Sequence, residues 1–469
     1  MIAVVIPICF LLFIALCKKF PVIGGNMNAG LLLTGALTML LSGVLNPADW
    51  VAAWVDGLNR MAWIMALSIA GGIFAEISVV LGTVDTIIGS LTAQFKNHPR
   101  ALVVGILATL TLAGSLLGDA IAASAVIGML TFGILVSMGI SYEKISSIVV
   151  MGASVGSIMP PMTQALALSS TLIGTDPDPV IKMGYVTVGL TFIIVCIYAA
   201  FFLVRPDNKP GANPEVEVKF GSETAGEILK KNWKSLVPLC FLIIVILFRT
   251  IGGFDLGPTI LKNIKFLKIA DDKTLSLYDF MSGVSILGGF TNGIVLSIFC
   301  AIFFSFLFKP VRENGGRIIT KSLSSVQRTL LLQVCCSFMI GCFYKAGAVD
   351  TVGTFTAGLA PNTLKIGGAL AMCLLGMLTG SQSTTQNVVF VFLGPALLAL
   401  GLNPVHVGVA GAHLAAAGQG MPPADLTTFV VCGMISAQFN KDVNPLKSMF
   451  YMLPMCFVFL AIGVFFMYF

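Results

Sequence analysis

Gly156-Ser157-Ile158-Met159-Pro160-Pro161-Met162-Thr163 has a twin in Gly418-Gln419-Gly420-Met421-Pro422-Pro423-Ala424-Asp425, 262 residues on. Each lies inside a long apolar run. Adjacent prolines lack backbone donors and clash with the carbonyl one turn earlier, so each pair breaks its helix. In lipid such a break survives only where protein or a water-filled cavity covers the freed carbonyls. A chain that makes this break twice is expected to set the two breaks facing each other across a transport site.

The composition fixes the solvent. Of 469 residues, 57% are hydrophobic and 10% charged, against about 25% charged in a soluble domain. The apolar runs are continuous rather than alternating, so the expected fold class is an all-α polytopic membrane protein. The net charge of +6 reports topology, because Lys and Arg in membrane proteins mark cytoplasmic loops; no nucleic-acid partner is expected. The eleven cysteines lie in or beside apolar runs with no CxxC pair, which argues against a disulfide framework or a zinc site.

Apolar runs predict spans near 1–17, 22–46 and 53–81, then an interfacial helix from Thr83 to Phe95. Met1 to Cys17 is followed by Lys18-Lys19. Positive charge after the apolar core reverses the signal-peptide order, so a retained first helix with its N-terminus outside is expected. Residues 101–138 are interrupted by Gly114-Ser115-Leu116-Leu117-Gly118-Asp119 and read as a re-entrant hairpin. A broken helix at 146–172 and a span at 183–204 complete a first unit, 1–204. The charged stretch 205–235 reads as a cytoplasmic linker with a short amphipathic piece. The second unit, 236–469, gives spans near 236–252, 282–308 and 328–345, a hairpin at 366–400, a broken helix at 406–432 and a span at 447–469.

An internal repeat carries the organisation. At the 262-residue offset Gly114, Gly118, Gly139, Gly156, Met159, Pro160 and Pro161 fall on Gly376, Gly380, Gly401, Gly418, Met421, Pro422 and Pro423. Each half reads as five spans plus one hairpin. An odd number of crossings gives the halves opposite orientation, so an inverted repeat is expected. Most of the Lys and Arg then lie inside, although the 253–281 loop, placed outside, holds four lysines. Trp50, Trp54 and Trp233 fall at the predicted interfaces.

Inverted repeats with broken helices and midplane hairpins are the architecture of secondary transporters. Half-helix N-termini suit anions, whereas unwound carbonyls with hydroxyls and a carboxylate suit a hard cation such as Na⁺. The first tip offers Ser115, Gly118, Asp119 and Ser124; its break offers the Pro160 carbonyl, Ser154, Ser157, Thr163 and Gln164. The second tip, Thr379-Gly380-Ser381-Gln382-Ser383-Thr384-Thr385-Gln386-Asn387, runs nine residues without an apolar side chain. Its break offers the Pro422 carbonyl, Gln419, Asp425, Thr427 and Thr428. A polar nonamer and an intramembrane carboxylate are costly in lipid, so they are functional candidates. The substrate set is Gly118, Ser157, Gln164, Gly380, Ser381, Ser383 and Gln419. The cation set is Asp119, Ser124, Pro160, Thr163, Thr384, Thr385, Pro422, Asp425 and Thr428, with Asp119 and Asp425 foremost. Asp85 and Asp350 read as helix N-caps, Glu76 and Lys345 as snorkelling residues or a pair across the repeats, and His413 as a packed histidine.

Gly118 to Gly128, Gly139 and Gly156-Ser157-Ile158-Met159-Pro160-Pro161 resemble the first half of the large membrane subunit of TRAP (tripartite ATP-independent periplasmic) transporters. Pro395, Leu400-Gly401-Leu402-Asn403-Pro404-Val405-His406-Val407-Gly408 and Gly420-Met421-Pro422-Pro423 resemble its second half. The resemblance covers about 50–200 and 325–469. It implies a sodium-driven elevator importer in the bacterial cytoplasmic (inner) membrane. It further implies a small four-helix membrane subunit and a periplasmic binding protein that delivers a small organic anion. By position, the family's sodium sites match Gly118, Asp119, Pro160, Thr163, Ser381, Thr385, Pro422 and Asp425. Na⁺ is the implied coupling ion, and no cofactor is expected. The hydroxyl-rich second tip is also similar to the Ser-Asn-Thr-type tips of stand-alone dicarboxylate carriers. The family often has Ser after the first Pro-Pro, where this chain has Met162.

Three other readings stay open at this point. A stand-alone sodium/dicarboxylate-type carrier would need no binding protein. An intramembrane aspartyl protease would use Asp85 and Asp350 as a dyad. A passive channel would need no two-sided gates. The oligomeric state, a homodimer included, is left open.

Overall fold

The computed structural model describes residues 2–16, 26–95, 97–205, 208, 223–252, 254–270, 273–348, 351 and 360–469. The described chain is an all-α membrane protein apart from one small hairpin of strands. Helices Pro47–Val80, Pro99–Leu117, Pro361–Thr379 and Pro445–Tyr468, and the helix Pro177–Leu203, are each long and apolar enough to span a bilayer.

Two sets of helices pack among themselves. The first set is Ile2–Leu16, Met27–Leu41, Pro47–Val80, Ala225–Gly252, Gly293–Ser305 and Gly315–Lys345. Its centre is the crossing of Pro47–Val80 with Gly315–Lys345. Two glycines make that crossing possible. A Cβ on Gly57 would sit 1.8 Å from the Ser337 carbonyl oxygen, and one on Gly341 would sit 1.8 Å from that of Ala53. No side chain fits there, as at other membrane crossings built on small residues.

The second set holds both hairpins and both broken helices. The first hairpin is Pro99–Leu117 returning through Ala120–Ala123 and Met129–Ser137; the second is Pro361–Thr379 returning through Gln382–Thr385 and Val391–Ala399. The broken helices are Tyr142–Ile158 with Gln164–Leu172, and Pro404–Gly420 with Leu426–Phe439. In each half the hairpin's first limb packs on the helix that precedes the break. A Cβ on Gly156 would lie 2.5 Å from the Thr111 oxygen, and one on Gly418 would lie 2.8 Å from the Cys373 oxygen. The second limbs cross over. The limb after the second tip packs on Gln164–Leu172, and the limb after the first tip packs on Leu426–Phe439. That exchange brings both tips and both breaks to one place.

Several elements differ from the sequence reading. The span expected at 236–252 belongs to one helix, Ala225–Gly252. It absorbs the amphipathic end of the linker because a capping box starts it: Thr224 N donates to Glu227 Oε2 (2.7 Å) and Glu227 N donates to Thr224 Oγ1 (3.3 Å). The span expected at 328–345 runs Gly315–Lys345, and that expected at 282–308 is Gly293–Ser305. The described residues of the 253–281 loop form the helix Leu256–Asn263, an antiparallel pair, Lys265–Ala270 with Lys273–Ser276, and the start of the helix Leu277–Gly283. Glu76 pairs with Lys321 (2.8 Å) and Lys345 with Asp49 (3.0 Å), so of the two readings open for Glu76 and Lys345 the pair across the repeats does not form. Asp85 lies in the first turn of Thr83–Phe95 rather than at its cap. Asp350 lies outside the described residues, and with it the second member of the aspartyl dyad.

Candidate functional site

The tips are built alike. Gly118 ends the first limb in the left-handed region (φ 64°), and Gly380 ends the second (φ 63°). That conformation favours glycine because a Cβ meets the following carbonyl. The next residue is extended and caps the returning limb. Asp119 (φ −140°, ψ 124°) accepts from Ala122 N through Oδ1 at 2.9 Å, and Ser381 (φ −141°, ψ 122°) accepts from Thr384 N at 3.3 Å. One turn on, both limbs open into a π-turn, Ser124–Gly128 and Gln386–Phe390. Such turns concentrate at functional sites.

The breaks are capped the same way. Thr163 Oγ1 accepts from Leu166 N at 3.2 Å. Asp425 accepts from Thr427 N (3.2 Å), Thr428 N (3.1 Å) and the Thr428 hydroxyl. The freed Pro160 carbonyl accepts from Ser115 Oγ at 2.9 Å. The Pro160–Pro161 and Pro422–Pro423 bonds are both cis.

Tips and breaks enclose a cavity of about 140 Å³. Gly118, Asp119, Gly380, Ser381, Gln382 and Ser383 line it from the tips; Ser157, Gln164, Gln419 and Thr427 line it from the breaks. The halves are bonded across it. Gln382 Nε2 donates to Ser157 Oγ (3.3 Å), and Gln386 Nε2 donates to the Ala165 carbonyl and to Ser169 Oγ (2.7 Å each). Gln164 Nε2 reaches out to Ser68 Oγ (3.1 Å), which also accepts from Gln333 Nε2 (3.0 Å). The cavity wall is thus shared by the two helix sets.

Every residue expected at the substrate site, Gly118, Ser157, Gln164, Gly380, Ser381, Ser383 and Gln419, lines the cavity. The expected cation ligands are placed differently. Asp119 lines the cavity. Asp425, Thr163, Thr385 and Thr428 are fully buried behind it, and Thr384 is 5% exposed. The Thr385 hydroxyl donates to the Ser381 carbonyl at 2.9 Å. Ser124 is fully buried and its Oγ has no hydrogen-bond partner among the described residues. His413 is packed, with Nδ1 2.9 Å from the Val409 oxygen and its ring against Phe459. Among the described residues no three of His, Cys, Asp and Glu gather as a metal cluster.

The arrangement suits a carrier that handles one small polar molecule in the cavity between two similarly built tips. A family model described as "Tripartite ATP-independent periplasmic transporter, DctM component" matches residues 82–469. The chain belongs to the DctM family. It is therefore the large component of a TRAP-type secondary transporter, a multi-pass membrane protein and not an enzyme. The chain is similar to YgiK of Salmonella typhimurium, an uncharacterized protein, at 22% identity over 374 residues, 77% of this chain and 76% of YgiK. Its fold is similar to the crystal structure of the Alcanivorax borkumensis YdaH transporter (TM-score 0.56, 13% identity, 99% of this chain and 97% of that one). It is equally similar to Neisseria gonorrhoeae MtrF, described among antimetabolite efflux pumps (TM-score 0.56, 14% identity, 99% and 94%). In this DctM protein the sequence reading missed the wall residues Gln333 and Thr329 and did not single out Gln386 or Asn387 for the site. Gln333 carried a signal: it is the lone amide in Leu330-Leu331-Leu332-Gln333-Val334, and polar residues inside spans mark pathways.

Proposed function

We propose that this DctM protein imports a small organic acid across the bacterial cytoplasmic (inner) membrane, driven by a cation gradient, with Na⁺ as the coupling ion. The observation that carries the reading is the single cavity at which both hairpin tips and both helix breaks meet. Opening it alternately to each side requires one set of helices to move past the other, in the manner of an elevator, with the halves as inverted repeats. The cation ligands are drawn from Asp119, Ser124, the Pro160 carbonyl and Thr163 in one half, and from Thr384, Thr385, the Pro422 carbonyl, Asp425 and Thr428 in the other. The working partners are a small four-helix subunit and a periplasmic binding protein. The hydroxyl-rich second tip favours a second reading, a stand-alone carrier of the sodium/dicarboxylate type. Reconstitution of the chain alone separates the two. Acid-triggered entry of radiolabelled sodium without added subunits supports the stand-alone carrier; entry only with both partners supports the tripartite one. Acid uptake that ignores every cation gradient sinks both.

A further inference from the structure

The helices Pro361–Thr379 and Pro445–Tyr468 both pack on Pro404–Gly420 and leave a groove of about 440 Å³ between them. Leu370, Leu374 and Met377 form one wall; Phe457 and Leu460 form the other. These residues recur at helical spacing, so each helix gives the groove one apolar face. Leu370 is 58% exposed, and Leu374 and Phe457 are each 56% exposed. Both helices are long and apolar enough to cross a bilayer, so this open face meets lipid rather than water.

The two ends of the groove differ. At one end Lys365 Nζ lies 4.6 Å from the centre of the Tyr468 ring. Lys365 is the one charged side chain among the described residues that line the groove. It joins no ion pair among the described residues. A lysine beside a tyrosine at the ends of two spans marks the level of the lipid headgroups. At the other end lies Met421, the residue before the second Pro-Pro break. From Lys365 to Met377 the helix rises about 18 Å at 1.5 Å per residue. One leaflet, half of the hydrocarbon core, is about 15 Å deep.

We propose that the groove seats one anionic phospholipid. Its phosphate pairs with Lys365, and one acyl chain runs along Leu370, Leu374 and Met377 to Met421. Three observations select this occupant. A cation without a carboxylate partner stands at the rim, the walls below it are apolar, and the groove is as long as a leaflet is deep. A chain seated there braces the first limb of the second hairpin, which carries the Gly380–Ser381 tip, and reaches the break at Pro422 from the lipid side. The seat lies apart from the polar cavity and does not depend on what that cavity carries.

Native mass spectrometry of the purified full chain tests the seat, with dioleoyl phosphatidylglycerol as the anionic probe and dioleoyl phosphatidylcholine as the zwitterionic one. The first lipid bound is expected to prefer the anionic headgroup about fivefold, the value of one basic residue at an anionic lipid. Lys365→Gln is expected to bring the two lipids to equal affinity, and Lys365→Arg to restore the preference. Leu370→Trp, at an exposed position, fills the groove and is expected to lose the first bound lipid of either headgroup. Added inorganic phosphate is expected to displace neither lipid. Equal affinities in the wild type, a preference that survives Lys365→Gln, or displacement by phosphate would each overturn the proposal. So would a dimer of the chain that Leu370→Trp dissociates with lipid binding unchanged, because a second copy would then fill the groove.

Discussion

Asp425→Asn separates a capping role from a cation-binding one, because the two roles predict losses of different size. The carboxylate is fully buried and accepts from two backbone amides and the Thr428 hydroxyl. Asparagine keeps one acceptor oxygen and ranks with aspartate as an N-cap. The fold then loses about one charge-assisted hydrogen bond, ~1.5–3 kcal/mol. A cation held by this group loses a unit charge. At 4 Å and an effective dielectric of 20 that is about 4 kcal/mol, roughly a thousandfold in affinity. Sodium titration of the purified protein by calorimetry, beside a thermal melt, reads both quantities. The reasoning expects a modest fall in melting temperature and a sodium affinity down by at least a hundredfold. A variant that melts lower but binds sodium like the wild type would show that Asp425 only caps its helix.

Gly57→Leu should stop the two long helices from crossing, because even a Cβ lies 1.8 Å from the Ser337 carbonyl; the measurement is loss of the monodisperse peak in detergent chromatography. Gly156→Ala and Gly418→Ala should each cost about 1–3 kcal/mol from overpacking, partly offset by about 1 kcal/mol of helix propensity. Both should lower transport more than stability, since the displaced limb carries a tip; equal transport in variant and wild type refutes the tight-packing account. Arg249, 14% exposed, bonds Asp178 and lies 2.6 Å from Asp255, so it ties Pro177–Tyr198 to Ala225–Gly252 of the first helix set. Arg249→Gln should lower the melting temperature by leaving two half-buried carboxylates unmatched, and Asp178→Asn in the same background should recover part of the loss.

The sequence showed the breaks and tips because the constraint there is local. Proline has no N–H to give, and Gly118 and Gly380 can take a left-handed turn without the steric cost other residues meet. The polar nonamer was legible for a similar reason: nothing apolar between Thr379 and Asn387 belongs in lipid. What could not be read depends on partners far along the chain. Gln386 matters because the second limb lies on Gln164–Leu172. Ser68 and Gln333 matter because their helices cross beside Gln164. The different settings of Asp119 and Asp425, one open and one sealed, come from burial that no spacing announces. Glu76 and Lys345 looked alike as helix-end charges, yet each found a different ion partner. The strands at Lys265–Ala270 and Lys273–Ser276 were hidden by lysines that read as plain loop.

The central claim is that the two Pro-Pro breaks and the two tips form one cation-coupled site. Radiolabelled-sodium entry into proteoliposomes, triggered by a small organic acid with the partner subunits supplied, tests it most directly. The account predicts acid-dependent sodium entry in the wild type and its loss in Asp425→Asn at equal reconstitution. Acid uptake with no accompanying sodium, unchanged when the sodium gradient is collapsed, would contradict it.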